Sequence, residues 1–218
     1  MLTIHPTPTG IGVELLTSLD VMHQLYELAY ALMDNNNDGD DPTNHVELML
    51  LSFAYEMRHS IMDAEFLAQQ AKMVPCSIKL IWPDMITYLM CMRKKAAYVP
   101  LSSTQLEQLK QLEDALIGAM YEYDPQSAEN NKQLVQPLFD FDNGHLMFVQ
   151  HLLHNEYINT KPRKKAFKLL TAMMYSFHDY LGLEHRKIEL ELKSNAKKYN
   201  CEIKDLRMNE EYLEVKRW

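Results

Sequence analysis

The sequence predicts a mainly α protein of the α+β kind, a multi-helix single domain with a small N-terminal three-stranded sheet. Six glycines and nine prolines in 218 residues are too few for the many tight turns of an all-β sandwich or barrel. Fifteen methionines, with leucine and alanine at helical spacing, describe helices packed through adaptable side chains. Alternation of period two is confined to residues 2–16 and 76–82. The chain is long enough for one good-sized core. Its 47% hydrophobic and 24% charged residues are ordinary for a globular protein.

Residues 2–16 alternate around "PTPTGIG", with Leu2 and Ile4, then Ile11, Val13 and Leu15, which is a hairpin signal. Thr17 or Ser18 can cap a helix with Asp20 in its first turn and Met22, Leu25, Tyr26, Ala29 and Leu32 along one stripe. Asn44 and Glu47 form a reciprocal capping pair for the next helix. Its run "VELMLLSFAYEM" is apolar on nearly every side, which predicts a central, buried helix. "CSIKLIW", residues 76–82, alternates again, with Ile78, Leu80 and Trp82 on one face. A lone strand of this length is unstable, so it is expected to join the hairpin. Trp82 before Pro83 favours an extended Trp82, and Pro83 suits the start of the helix "PDMITYLMCMRKKAAY". The basic end of that helix, Arg93 to Lys95, faces the negative pole of its dipole.

"LSSTQLEQLKQLEDALIGAMYEY" reads as an amphipathic helix capped by Ser102 with Gln105 or by Thr104 with Glu107, with Leu109, Leu112, Leu116 and Met120 on its apolar side. Residues 124–144 are polar and irregular. Helices are expected near 145–159, 162–181 and 184–199, punctuated by Pro162 and Gly182, before a charged tail ending in Trp218.

A formal net charge of −8 excludes attraction of the whole molecule to nucleic acid or anionic lipid. Cys76, Cys91 and Cys201 are far apart and odd in number, as in a reducing compartment. The start "MLTIHPTPTG" lacks the basic and apolar regions of a signal peptide. Apolar stretches are broken by Glu47, Glu56, Asp84 and Arg93, short of the roughly 18 residues of a membrane span. A soluble cytoplasmic protein without a membrane partner is expected. No P-loop, dinucleotide fingerprint, GxSxG or nucleophilic cysteine context occurs, so no cofactor and no catalytic residue is assigned.

Four groups of residues carry candidate chemistry. Asp34, Asn36, Asp38 and Gly39 match the opening of a calcium loop, but His45 stands at the twelfth place, where a bidentate glutamate closes the shell. The loop reads as a solvated connection. His151 and His154, spaced i and i+3 with Glu156 nearby, are the metal candidates; His145 falls on roughly the opposite side of the same helix. Lys161, Arg163, Lys164, Lys165 and Lys168 form a dense basic run at a helix start, where positive charge costs about 0.3 to 1 kcal/mol per group. Acidic partners within the protein, or a phosphate or nucleic acid, are the explanations open to it. With only Phe167 for stacking, nucleic acid is not favoured. Tyr55, Arg58 and His59 in "YEMRH" line a polar pocket or mark a buried helix reaching solvent.

The segments "MLTIHPTPTGIGV", "YEMRH", "IWPDM" and "ELKSNAKKYNCEIKDL…YLEVKRW" resemble a family of uncharacterised bacterial proteins classed as a domain of unknown function. The resemblance covers most of the chain and implies a single-domain protein; it implies no activity, substrate or site residue. From the residues themselves, a non-enzymatic helical protein acting through protein contacts, with a homodimer or another protein as partner, is expected. The alternatives are a metal-assisted hydrolase built on His151 and His154, and weak nucleic-acid or phosphate binding through residues 161–168.

Overall fold

A computed structural model describes residues 2–33, 45–69, 74–135, 145–206 and 213–218. Strands β1 (Thr3–Pro6) and β2 (Gly12–Thr17) form the expected hairpin, and β3 (Cys76–Ile81) pairs antiparallel with β2 to give the order β1-β2-β3. The hairpin turn depends on Gly10, whose φ of +71° is open to glycine and strained for other residues. The Gly10 N–H donates to the Thr7 carbonyl at 2.7 Å, and Thr7 N–H donates to Gly12 at 2.9 Å.

The helices are α1 (Leu19–Met33), α2 (His45–Gln69), α3 (Trp82–Ala96), α4 (Ser103–Tyr123), α5 (Pro125–Asn131), α6 (Leu146–Asn159), α7 (Arg163–His178) and α8 (Leu183–Tyr199). Short 3-10 turns cover Lys132–Val135 and Ile203–Asp205. Buried side chains from all three strands and all eight of these helices join one contiguous core. Among the described residues no helix is long and apolar enough to cross a membrane.

Local patterns set several boundaries. Ser102 accepts from the Gln105 amide at 3.2 Å while Gln105 Oε1 accepts from Ser102 N–H at 2.9 Å, the reciprocal cap that starts α4. Leu109, Leu112, Leu116 and Met120 are its buried stripe. Within the stretch expected to be irregular, Asp124 caps α5 by accepting from Gln126 N–H at 3.2 Å, and Pro125 fills the first helical position. Trp82 begins α3 instead of ending β3, because Ile81 already takes the extended cap conformation (φ −68°, ψ 156°) that the residue before the helix requires.

The central helix is α3, not α2. Ten of its residues, from Trp82 through Met92, are buried, and it packs against α1, α2, α6, α7 and the sheet. Trp82 and Phe167 pack with their rings tilted by 54° and centroids 4.8 Å apart, and Tyr123 closes an edge-to-face contact on Phe167 at 4.9 Å. Ion pairs tie the basic end of α3 to its neighbours, Lys95 to Glu47 of α2 and Arg93 to Glu113 of α4. By contrast α2 buries one face (Met49, Leu50, Phe53, Ala54, Met57, Ile61) and leaves Leu48, Leu51, Tyr55, Met62 and Phe66 exposed. Its all-round apolarity reflects two apolar faces, of which this chain covers one.

Candidate functional site

A carboxylate at the start of a helix sits beside unpaired backbone N–H groups and the positive pole of the helix dipole, a favourable place for negative charge. Asp84, in the first turn of α3 just after Pro83, occupies such a place. Two side chains of α6, four residues apart and therefore on one face, donate to it: Gln150 Nε2 to Oδ1 at 2.6 Å and His154 Nδ1 to Oδ2 at 2.8 Å. Gln150 Oε1 accepts in turn from the buried Thr87 hydroxyl at 2.8 Å, and Thr87 lies 3.4 Å from His178 Nε2. A polar chain thus runs from the surface into the core.

Asp84, Gln150 and His154 open onto a cleft of about 540 Å³ between α2, β3, α3 and α6. Met49, Ser52 and Glu56 of α2, Lys79 of β3 and Tyr88 of α3 line it, and Leu213, Glu214, Val215 and Trp218 of the C-terminal segment form another part of its wall. His154 Nε2 donates to the Leu213 carbonyl at 3.1 Å, and Leu213 N–H donates to Asn155 Oδ1 at 3.0 Å. Asn155 is itself held by His151, whose Nε2 accepts from Asn155 Nδ2 at 3.2 Å.

The electrostatics follow from these partners. Burial disfavours a charged His154, but the bond and the charge of Asp84 outweigh it and raise the imidazole above its ordinary value. Burial raises the Glu56 carboxyl; His59 opposes that shift and the Asp84 charge adds to it. Deep burial, helped by nearby His185, drops His178 to about 3 and keeps it neutral. The buried thiol of Cys91 is pushed up to about 12, which makes it inert as a nucleophile. With both ring nitrogens donating, His154 acts as a charged hydrogen-bond donor. Ser52, the nearest hydroxyl on α2, is turned back onto the Leu48 carbonyl at 2.9 Å. The arrangement presents a donor, oriented by Asp84, to a backbone carbonyl.

The structure disperses most residues singled out by sequence. His151 and His154 are both buried on the inner side of α6, but His151 Nε2 serves Asn155, both nitrogens of His154 are engaged, and Glu156 is exposed. Among the described residues no three His, Cys, Asp or Glu side chains gather as a metal site would require. Asp34, Asn36 and Asp38 lie outside the described residues. Tyr55, Arg58 and His59 are exposed on the outer face of α2, with Tyr55 and His59 edge-to-face at 4.3 Å.

In the basic run, Arg163 has a structural partner. Its Nη1 donates to the carbonyl of Ile158 at 2.7 Å, and to those of Tyr157 and Thr160 at 3.3 and 3.4 Å, satisfying the C-terminal end of α6. For Arg163 the partner is a set of helix carbonyls, while the Lys164 charge adds to the Ser127 hydrogen bond that lowers the Asp124 carboxyl. Lys161, Lys164, Lys165 and Lys168 are exposed. Replacing Arg163 by glutamine is therefore expected to cost about 1–2 kcal/mol in urea unfolding. Each lysine replaced in the same way should stay within about 0.5 kcal/mol of the parent. Equal effects at all five positions would refute the capping role.

Asp84, Gln150, Glu56 and the C-terminal segment escaped the sequence reading. The available signal was Gln150 inside the apolar run "LMFVQHLL", a buried amide that needs a partner. Residues 2–218 match a protein family described as Domain of unknown function (DUF6904). No curated protein and no solved structure matches the chain.

Proposed function

Because the chain belongs to a family of domains of unknown function, which hands down no activity, we propose from its geometry that it works without catalysis, through protein contacts made by the outer face of α2, and that a second copy of the chain occupies that face. One observation carries this reading. Leu48, Leu51, Tyr55, Met62 and Phe66 recur at three, four, seven and four residues along a single stripe about 27 Å long, at a rise of 1.5 Å per residue. Phe66 is 61% exposed, Tyr55 55% and Met62 52%. On α1, Tyr26 feels the Arg58 charge and pairs with the exposed Tyr30 at 4.7 Å, so an aromatic border flanks the stripe.

Aromatic residues, methionine and arginine are the types enriched at the centres of protein interfaces. The largest apolar patch even on a protein that works alone, about 300–600 Å², is often functional. The exposed stripe is on the order of 500 Å², which with its polar rim approaches the roughly 800 Å² per partner of a standard interface. Its charges are self-complementary. Arg58 and His59 lie beside Asp63 and Glu65, all exposed, with Glu65 3.5 Å from His23 of α1, so a facing copy would bring cations and carboxylates together.

Substituting Tyr55→Asp and Met62→Asp together is expected to weaken self-association by at least about 30-fold, the equivalent of 2 kcal/mol for a central interface residue. Tyr98→Asp, at a site 82% exposed in the segment that follows α3, should leave it unchanged. Sedimentation velocity, with circular dichroism to verify folding, reads both outcomes. Association that is indifferent to the α2 substitutions, or lost equally with Tyr98→Asp, would overturn the assignment.

A further inference from the structure

The contacts of Leu213 read only its main chain. His154 donates to its carbonyl and Asn155 accepts from its N–H, so any residue but proline in an extended peptide offers the same pair of groups. Farther along, Thr9 Oγ1 donates to the Arg217 carbonyl at 3.3 Å. Val215 and Trp218 are half-buried and pack on the core, while Lys216 and Arg217 are exposed and Glu214, also exposed, borders the cleft. Among the described residues the segment makes no backbone–backbone hydrogen bond to a strand or helix. The clamp, meanwhile, is oriented by residues outside the segment: Asp84 fixes His154, and His151 fixes Asn155. The segment forms one wall of the cleft, and about 540 Å³ stays open beside it.

From this geometry we infer that the cleft is a groove for an extended peptide, that residues 213–218 are its resident occupant, and that a partner segment with the pattern apolar–x–apolar–x–x–aromatic exchanges with it. The first apolar residue is gripped by its backbone, and the second apolar residue and the aromatic anchor as Val215 and Trp218 do. Lys79 of β3, Glu56 of α2 and Glu214 of the segment itself are the charged groups at the cleft around the Asp84–His154 pair. A resident occupant lowers the apparent affinity for an outside peptide by the fraction of molecules in which the groove is open. This site is separate from the outer face of α2 and does not depend on it.

The probe is a fluorescein-labelled synthetic peptide of sequence LEVKRW, titrated against the full chain and read by polarisation. Val215→Asp with Trp218→Asp removes the anchors of the resident segment and is expected to bind the peptide at least about tenfold more tightly than the parent does. Adding Asn155→Ala should reverse that gain by about tenfold. If the doubly substituted chain does not keep its helical circular dichroism, Leu213→Pro, which removes one N–H from the resident, takes its place with the same expectation. A folded variant that fails to bind the peptide, or binding indifferent to Asn155→Ala, would overturn the inference. Tyr55→Asp with Met62→Asp should bind the peptide as the parent does, which separates this result from the fate of the α2 face.

Discussion

Gly12→Ala is expected to lower the melting temperature by roughly 8–16 °C, the shift that a loss of about 4 kcal/mol produces in a chain of this size. Gly12 opposes Ile81 across the β2–β3 ladder. A Cβ there would stand 2.0 Å from the Leu80 carbonyl oxygen and 2.6 Å from Ile81 Cα. Both are backbone atoms, so no flexible side chain can swing aside; the strands must part or shift. Ile81 is also the cap residue of α3, so the disturbance reaches the helix that carries Asp84. Thermal scans by circular dichroism measure the effect, and a shift below about 2 °C would show that the strand pairing is looser than described.

Asp84→Ala is expected to cost about 3–5 kcal/mol, because it leaves a buried imidazolium and the Gln150 amide without their acceptor. The side chains of Asp84 and His154 are only 14% and 11% exposed, so water replaces the lost carboxylate poorly. The sign of the pH dependence follows from the raised value of His154. Its charged pairing stabilises the fold fully below the ordinary histidine value and is lost as pH rises through the raised, folded-state value. Asp84→Asn removes the charge while keeping the shape, so its cost should be larger near about pH 6 than near about pH 8. Urea unfolding at the two pH values gives the answer; a cost that grows with pH would contradict the pairing.

Much of the fold was legible because its signals are local. The hairpin, the third strand at 76–81 and the Ser102–Gln105 cap each declare themselves within a few residues. The ranking of α2 and α3 was not legible, since both helices are rich in apolar residues. Leu48, Leu51, Tyr55, Met62 and Phe66 mark α2 as apolar on a second side, but periodicity does not say whether this chain covers it. The cleft was hidden for a different reason. Asp84 meets Gln150 and His154 across 66 and 70 residues of sequence, and Leu213 reaches His154 across 59. No spacing rule links residues so far apart, and "WPDM" read as a helix start because proline and aspartate do serve that role there. The histidine pair at 151 and 154 was visible at the right spacing, but its hydrogen-bonding partners, Asn155 for His151 and Asp84 for His154, were not.

Sedimentation equilibrium of the unmodified chain over a wide concentration range tests the contact reading most directly. A self-complementary α2 face predicts a mass rising toward twice the 25.6 kDa of one chain as concentration increases. A mass that stays at 25.6 kDa throughout would show that no second copy covers the stripe and would contradict the account.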